Sequence, residues 1–187
     1  MLPDIERYPL VIAPGVNGSG PDHWQSYWEA DHPDARRTAP ASFEILDLDD
    51  WVRALDEAIA DCATPPLIAA HSCGSLAALA WAAGGRAPGR VAAILLVAPP
   101  DPTANSFPDG GESFRGVVAT PLGVPSAVVA SSNDQYAALD YPTRVAELSG
   151  ATLHVVGALG HINADTKLGD WPEGQAILAG LIASGSG

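Results

Sequence analysis

Short apolar runs alternate along the chain with segments of helical periodicity. Residues 8–15 (YPLVIAPG) form a continuously apolar run, and in the following segment, 21–33, Trp24 and Trp28 stand four positions apart. A continuous apolar run is typical of a strand buried on both faces of a parallel sheet, and a four-residue spacing places two side chains on one face of a helix. A strand followed by a helix is therefore predicted within 8–33.

The alternation continues towards the end of the chain. Further strands are predicted at 43–48, 65–70, 90–100, 125–132 and 151–157. Helices are predicted at 74–85, at 139–149, from Pro172 onward, and after Asp49 or Asp50, where Trp51, Leu55 and Ile59 share one face. This order predicts one α/β domain, residues 1–187, with a mostly parallel sheet of about six strands and helices on both faces.

The net charge and the lengths of the apolar runs limit the kinds of partner that are expected. The net charge of the 187 residues is −13, so a nucleic-acid partner is not expected, because few basic side chains could neutralise its phosphates. No apolar run is long enough to span a bilayer, and the opening residues MLPDIERYPL lack the basic segment of a signal peptide. A cytoplasmic protein without a membrane partner is expected, either a monomer or a weak homo-oligomer.

The two cysteines, Cys62 and Cys73, lie in apolar surroundings. Two cysteines without metal-ligand spacing indicate neither a disulfide framework nor a metal site, so both are predicted to be buried free thiols.

The segment AHSCG, residues 70–74, has the pattern of a nucleophile elbow. Ala70 and Gly74 are small residues two positions before and after Ser72, as the sharp turn from strand to helix requires. Such a turn would expose the Ser72 hydroxyl at a helix N-terminus, where negative charge is stabilised. The alternative is that Ser72 only caps the helix. His71 is expected to pack beside the turn rather than to act in catalysis.

A serine nucleophile needs a general base and a carboxylate that orients it. Among the five histidines, His161 follows the last predicted strand and is framed by Gly157 and Gly160, which let the chain bend back over the sheet. The alternative for His161 is that it is a solvated histidine in a loop. Asp134 directly follows the strand at 125–132 and is the predicted acid.

Asp140 and Asp101 are weaker candidates for that acid, because one is predicted to be helical and the other follows the preceding strand. The backbone N–H groups of Cys73 and Val16 are predicted to form an oxyanion hole, with Asn17 as the alternative to Val16. Val16 and Asn17 belong to a glycine-rich turn, APGVNGSG, after the first strand.

Residues 101–124 are the only long irregular stretch and are expected to border the substrate site. The residues predicted to contact substrate are Asn17, Trp24, Phe107 and Phe114, with Trp171 as a further possibility. For the aromatic residues, burial in the core is the alternative. No basic residue adjoins the predicted site, so a strongly anionic substrate is not favoured, and no metal or organic cofactor is expected.

Five spaced segments carry a family resemblance: PGVNGSGPDHWQSYW, AHSCGSLAALAWA, VAPPDP, VVASSNDQYAAL and GHINADTKLGDWPEG. Together they resemble the small single-domain serine hydrolases that include retinoblastoma-binding protein nine, over nearly the whole chain. The resemblance implies an α/β-hydrolase fold without a large lid domain and a triad of Ser72, Asp134 and His161. Two residues depart from the family: Gln135 stands where proline is frequent, and Ala70 where many relatives have glycine.

The function implied is hydrolysis of a small ester, thioester or amide, with a carboxylic ester favoured, through an acyl-enzyme intermediate. The partner expected is a small-molecule acyl substrate. Three alternatives remain open: a protein-binding or scaffold protein with little or no catalysis, an acyltransferase or haloperoxidase-like enzyme, and a cysteine hydrolase that uses Cys73.

Overall fold

The computed structural model describes residues 1–184 and contains one six-stranded sheet in which all neighbouring strands are parallel. The strands are β1 (Leu10–Ala13), β2 (Ala35–Arg37), β3 (Leu67–His71), β4 (Ala93–Val97), β5 (Ser126–Ala130) and β6 (Thr152–Val155). Their order across the sheet is β2-β1-β3-β4-β5-β6. The predicted α/β class and the predicted number of strands are confirmed.

In the described part of the chain, five α-helices cover the two faces of the sheet. They are α1 (Trp24–Asp31), α2 (Leu48–Ala60), α3 (Cys73–Ala82), α4 (Asp140–Ser149) and α5 (Pro172–Ser184). Apolar side chains of α2, α3 and α4 form one core with alternate strand residues such as Ile68 and Ile94. Those of α1 and α5 form a second core with the intervening strand residues, such as Leu67 and Leu95. The central strands are therefore buried on both faces, which explains their continuously apolar sequences.

The chain changes direction across the sheet between β1 and β3. From β1 it runs outward to β2, and it then returns to place β3 on the other side of β1. The loops that follow β1 and β3 therefore separate at the carboxyl ends of these strands. In open α/β sheets this crevice is where ligands bind.

The prediction of a strand at 43–48 is wrong, and the second strand lies at Ala35–Arg37. Local side-chain hydrogen bonds replace a strand in this segment: the Ser42 hydroxyl accepts from the backbone amides of Glu44 and Ile45. Such bonds compete with a ladder to a neighbouring strand. The side chain of Ile45 is 69% exposed, although that of its neighbour Leu46 is buried in the core.

The cap of α2 was also predicted at the wrong residue. The carboxylate of Asp47 accepts from the amides of Asp49 and Asp50, the two residues predicted to be the cap. The cap of the helix thus lies two or three residues earlier than predicted. Trp51, as predicted, is buried on that face.

The stretch 101–124 is irregular apart from a short 3-10 helix at Glu112–Gly116. Both cysteines are free, but Cys62 is half-buried rather than buried. Within residues 1–184, every helix is too short or too polar to cross a bilayer.

Candidate active site

Ser72 stands at a strained corner between β3 and α3. Its φ of 53° and ψ of −128° lie in a region that residues with a side chain rarely adopt. The corner is held because the Ser72 amide donates to the carbonyl of Val97, 2.9 Å away. Close packing explains why the residue two positions after Ser72 is glycine. A Cβ atom on Gly74 would clash with the carbonyl oxygen of Ala13, 2.2 Å away. The turn has the steric requirements that the sequence pattern predicted.

Three side chains from distant parts of the chain form a hydrogen-bonded series at this corner. The Nε2 atom of His161 lies 2.8 Å from the Ser72 hydroxyl oxygen. The Nδ1 atom of the same ring lies 2.8 Å and 3.0 Å from the two carboxylate oxygens of Asp134. A carboxylate accepts hydrogen bonds, so Nδ1 carries the ring proton and Nε2 is free to accept from the Ser72 hydroxyl.

The loops that carry Asp134 and His161 are bonded directly to each other. The hydroxyl of Ser131 accepts from the amide of Leu159, and the side-chain oxygen of Asn133 accepts from the amide of Gly160. These two bonds bring the chain after β6 onto the chain after β5. Ser131 and Asn133 were not identified from the sequence, although the SSND segment that contains them was.

The Asp134 carboxylate is also held within its own loop. Its Oδ1 atom accepts from the amide of Tyr136 at 2.9 Å, and the Tyr136 ring packs against His161 with ring centroids 4.6 Å apart. The position of the acid is therefore defined although Gln135, and not proline, follows it.

His71 supports the imidazole from the other side. Its Nε2 atom donates to the backbone carbonyl of His161 at 2.9 Å, and the two ring centroids are 4.9 Å apart. Burial, together with the charges of His23 and His161, holds the pKa of His71 well below its usual value, so the ring is neutral. His71 packs beside the corner, in agreement with its predicted place.

Near Ser72, the backbone N–H groups of Val16 and Cys73 are among those without a carbonyl acceptor in residues 1–184. They belong to the turn after β1 and to the first residue of α3. The amide of Asn17, the alternative donor, is already bound to the carbonyl of Phe43 at 3.1 Å. Of the two candidates in the turn, Val16 is thus the one with a free donor.

A cavity of about 620 Å³ opens over Ser72 and His161. Much of its wall is polar, contributed by Asn17, Ser19, Asn105, Ser106, Tyr136 and Asn163. None of the described residues that line it is a lysine or an arginine, and Asp109 belongs to its wall. The cavity therefore suits a small, uncharged and partly polar ligand.

The structure places two of the four predicted substrate contacts in this wall. Asn17 and Phe107 line the cavity. Trp24 and Phe114 do not, since they are 1% and 0% exposed and lie in the two cores. Trp171 is likewise in the core, with its ring centroid 5.0 Å from that of Trp24. For these three aromatic residues the alternative of core packing is correct.

The indole of Trp24 is held in place by a hydrogen bond from its Nε1 atom to the carbonyl of Ile162, 3.0 Å away. Phe114 packs edge-on against Trp51, with ring centroids 5.6 Å apart. Both side chains also pack against residues of the cavity wall: Trp24 against His23 and His71, and Phe114 against Phe107.

The remaining candidates for the acid lie elsewhere. The Asp101 carboxylate accepts from the amide and hydroxyl of Thr103, and Asp140 is the first residue of α4. The thiol of Cys73 is buried, which raises its pKa to about 12, so it remains protonated near neutral pH.

Comparison with known proteins indicates the family to which this chain belongs. The sequence matches the model of a family described as serine hydrolase over residues 10–180. The chain belongs to the serine hydrolase family. No curated protein sequence matches this serine hydrolase.

Several solved structures are similar to this serine hydrolase over nearly its whole length. A YdeN-like hydrolase from Pectobacterium atrosepticum is 32% identical, with a TM-score of 0.85 over 97% of this chain and 94% of that one. The ydeN gene product of B. subtilis is 20% identical, with a TM-score of 0.80 over 94% and 99%. Est1E of Butyrivibrio proteoclasticus, solved with ferulic acid bound, is 15% identical, with a TM-score of 0.69 over 97% and 91%.

The latter two likenesses establish the α/β-hydrolase fold, and no lid domain is evident in the described part of the chain. The family match and the 32% identical YdeN-like hydrolase support a hydrolytic function.

Proposed function

We propose that this serine hydrolase cleaves small, uncharged carboxylic esters through an acyl-enzyme intermediate on Ser72. The observation that carries the proposal is the hydrogen-bonded series from Asp134 through His161 to Ser72, located at the floor of a cavity. A nucleophile, a base and a group that orients the base, each within hydrogen-bond reach of the next, are what acyl transfer requires.

In the first half of the reaction, His161 accepts the hydroxyl proton of Ser72 at Nε2 while the serine oxygen bonds to the ester carbonyl carbon. The free amides of Val16 and Cys73 donate to the oxygen that becomes negatively charged. His161 then gives its proton to the departing alcohol as the bond between the carbonyl carbon and the alcohol oxygen breaks.

In the second half, a water molecule replaces the alcohol. His161 takes one of its protons, the water oxygen bonds to the acyl carbon, and the collapse of that intermediate returns the proton to Ser72 as the acid leaves. Asp134 keeps the imidazole in one tautomer throughout and stabilises its charged form.

The nature of the cavity wall supports the choice of substrate. A volume of about 620 Å³ accommodates a small ester, and the absence of lysine and arginine from the described lining disfavours an anionic one. Thioesters and amides share the same chemistry and are compared with esters in the same assay.

The test is the turnover of p-nitrophenyl esters by Ser72→Ala and Asp134→Asn variants. Ser72→Ala should abolish turnover, and Asp134→Asn should lower kcat by about 10⁴. Asp140→Asn is the matched control, because that carboxylate lies at the start of α4 and should leave kcat unchanged. Circular dichroism checks that each variant is folded.

Labelling with a fluorophosphonate separates an enzyme from a binding protein built on the same fold. An activated Ser72 becomes labelled, and the label is lost in Ser72→Ala. An unlabelled wild-type protein, or turnover that survives Ser72→Ala, would show that the proposal is wrong. Product analysis with added alcohol or peroxide distinguishes hydrolysis from acyl transfer and from perhydrolysis.

A further inference from the structure

His23 belongs to the wall of the cavity but has no part in the hydrogen-bonded series of Ser72, His161 and Asp134. It is the N-cap of α1, and it is 3% exposed. Its Nδ1 atom accepts from the amide of Gln25 at 3.2 Å. This bond explains why the helix begins here, and it also fixes the orientation of the ring.

The other ring nitrogen of His23 is unused. Burial, with smaller contributions from the charges of Arg37 and His161, lowers the pKa of His23 to about 4, so the ring is neutral at pH 7. Since Nδ1 accepts a hydrogen bond, the single proton must be on Nε2. That atom is buried and has no partner among residues 1–184. Buried donors without an acceptor are rare in folded proteins and call for an explanation.

Nearby side chains do not supply an acceptor. The His71 ring lies edge-on to His23, with centroids 4.6 Å apart, and its own Nε2 atom is committed to the carbonyl of His161. The cavity is the space from which an acceptor can reach His23, because the residue forms part of its wall. A ligand atom in the cavity is the candidate for the missing partner, because His23 belongs to the cavity wall and its Nε2 atom has no partner among residues 1–184.

We propose that His23 is a substrate-recognition residue, whose Nε2–H donates a hydrogen bond to an uncharged oxygen of the substrate other than the scissile ester group. The substrate is accordingly an ester with an ether, hydroxyl or carbonyl oxygen in its acyl or alcohol half. This inference rests on the proposed function. It agrees with the amide and hydroxyl groups of Asn17, Asn105 and Asn163, Ser19 and Ser106 in the same wall.

Two pairs of esters test the inference, because within each pair an ether oxygen replaces one methylene. Methyl 3-methoxypropanoate and methyl pentanoate differ in the acyl half, and 2-methoxyethyl acetate and butyl acetate differ in the alcohol half. The ratio of kcat/KM within a pair, measured by pH-stat titration, is compared between wild type and variants, so that intrinsic reactivity cancels.

Two substitutions of His23 separate recognition from capping. His23→Asn keeps an acceptor near Nδ1 for the amide of Gln25 but removes the Nε2 donor, whereas His23→Gln keeps an N–H near Nε2 and weakens the cap. In at least one pair, His23→Asn should reduce the preference for the ether by about tenfold, and His23→Gln should retain most of it. Equal losses on both members of both pairs would overturn the inference.

A binding measurement keeps this inference distinct from the proposed function. In the Ser72→Ala variant, the ¹⁵N resonance of His23 Nε2 should shift when one of the two ether esters is added, and not with its methylene counterpart. This shift without any turnover by the wild type would leave the recognition role standing and the hydrolytic one refuted. No shift with either ether ester, together with unchanged ratios, would refute the recognition role.

Discussion

A Cβ atom on Gly15 would lie 2.6 Å from the Cβ atom of Ser72 and 3.1 Å from its hydroxyl oxygen. The turn after β1 is therefore in direct contact with the strained corner after β3. Because the turn also carries the Val16 amide, its distance from Ser72 defines the space in which a tetrahedral intermediate would form.

Gly15→Ala should consequently displace either Ser72 or the turn. A displacement of about 1 Å is enough to lower kcat by roughly 100-fold. Gly116→Ala serves as the control, since a Cβ atom there meets nothing within 4 Å and the residue lies in the 3-10 helix of the 101–124 loop. If Gly15→Ala and Gly116→Ala had equal kcat, the close contact between Gly15 and Ser72 would be contradicted.

Substitution of Val16 by proline removes the backbone N–H of this residue while the backbone conformation of the turn can be kept. Gly15, which precedes it, has φ −87° and ψ −161°, an extended conformation suited to the residue before proline. Val16→Pro should therefore fold and lower kcat by about 10² to 10³, because one oxyanion donor is lost.

Val16→Ala keeps the N–H and supplies the matched comparison. Its kcat should stay within a few-fold of the wild-type value, as measured with the same p-nitrophenyl ester. If both variants lost the same activity, the side chain of Val16, and not its amide, would be the group that matters.

Phe107 and Phe114 lie in the same loop but should respond differently to truncation. Phe114 is 0% exposed between Trp51 and Phe107, so Phe114→Ala should lower the free energy of unfolding by about 3–5 kcal/mol. Phe107 lines the cavity, so Phe107→Ala should raise KM for longer acyl chains. Urea denaturation and a chain-length series measure the two effects, and a chain-length effect confined to Phe114→Ala would reverse the assignment.

The neutral ring of His23 predicts a pH dependence of stability. Between pH 6.5 and about 4 the unfolded chain binds a proton on this residue that the folded protein does not, because burial lowers the pKa of the folded form to about 4. Stability is thus full above pH 6.5 and decreases as the pH falls towards 4.

Urea denaturation at pH 7 and pH 5 measures this loss. Between these values the wild type should lose about 2 kcal/mol more than His23→Asn, which keeps the helix cap but has no ring to titrate. Equal losses in the two proteins would show that His23 has an ordinary pKa when folded.

The central strands could be predicted from the sequence because burial on both faces makes them continuously apolar, as in β3 and β4. The edge strand β2 could not be predicted. It consists of Ala35, Arg36 and Arg37, all half-buried, and the Arg37 guanidinium is bound to Glu29 and to the carbonyl of Gly18. Its strand character comes from pairing with β1 and not from its own residues.

The catalytic candidates could be predicted from the sequence because each of them follows a strand. Ser72, Asp134 and His161 come after β3, β5 and β6, and parallel strands end at the same edge of the sheet. The cavity wall was not predictable in this way. His23 and Trp24 are adjacent, but one lines the cavity and the other lies in the core, because the direction of each depends on where α1 begins.

The position of β6 has a consequence for how the protein would lose activity. In the described sheet β6 is an edge strand paired with β5, and its first and last residues, Thr152 and Val155, are exposed. Edge elements with few buried contacts open at a lower cost than the centre of a domain. Gentle warming should therefore detach the imidazole from the hydroxyl while the other five strands stay assembled, and cooling should restore turnover without refolding of the whole chain.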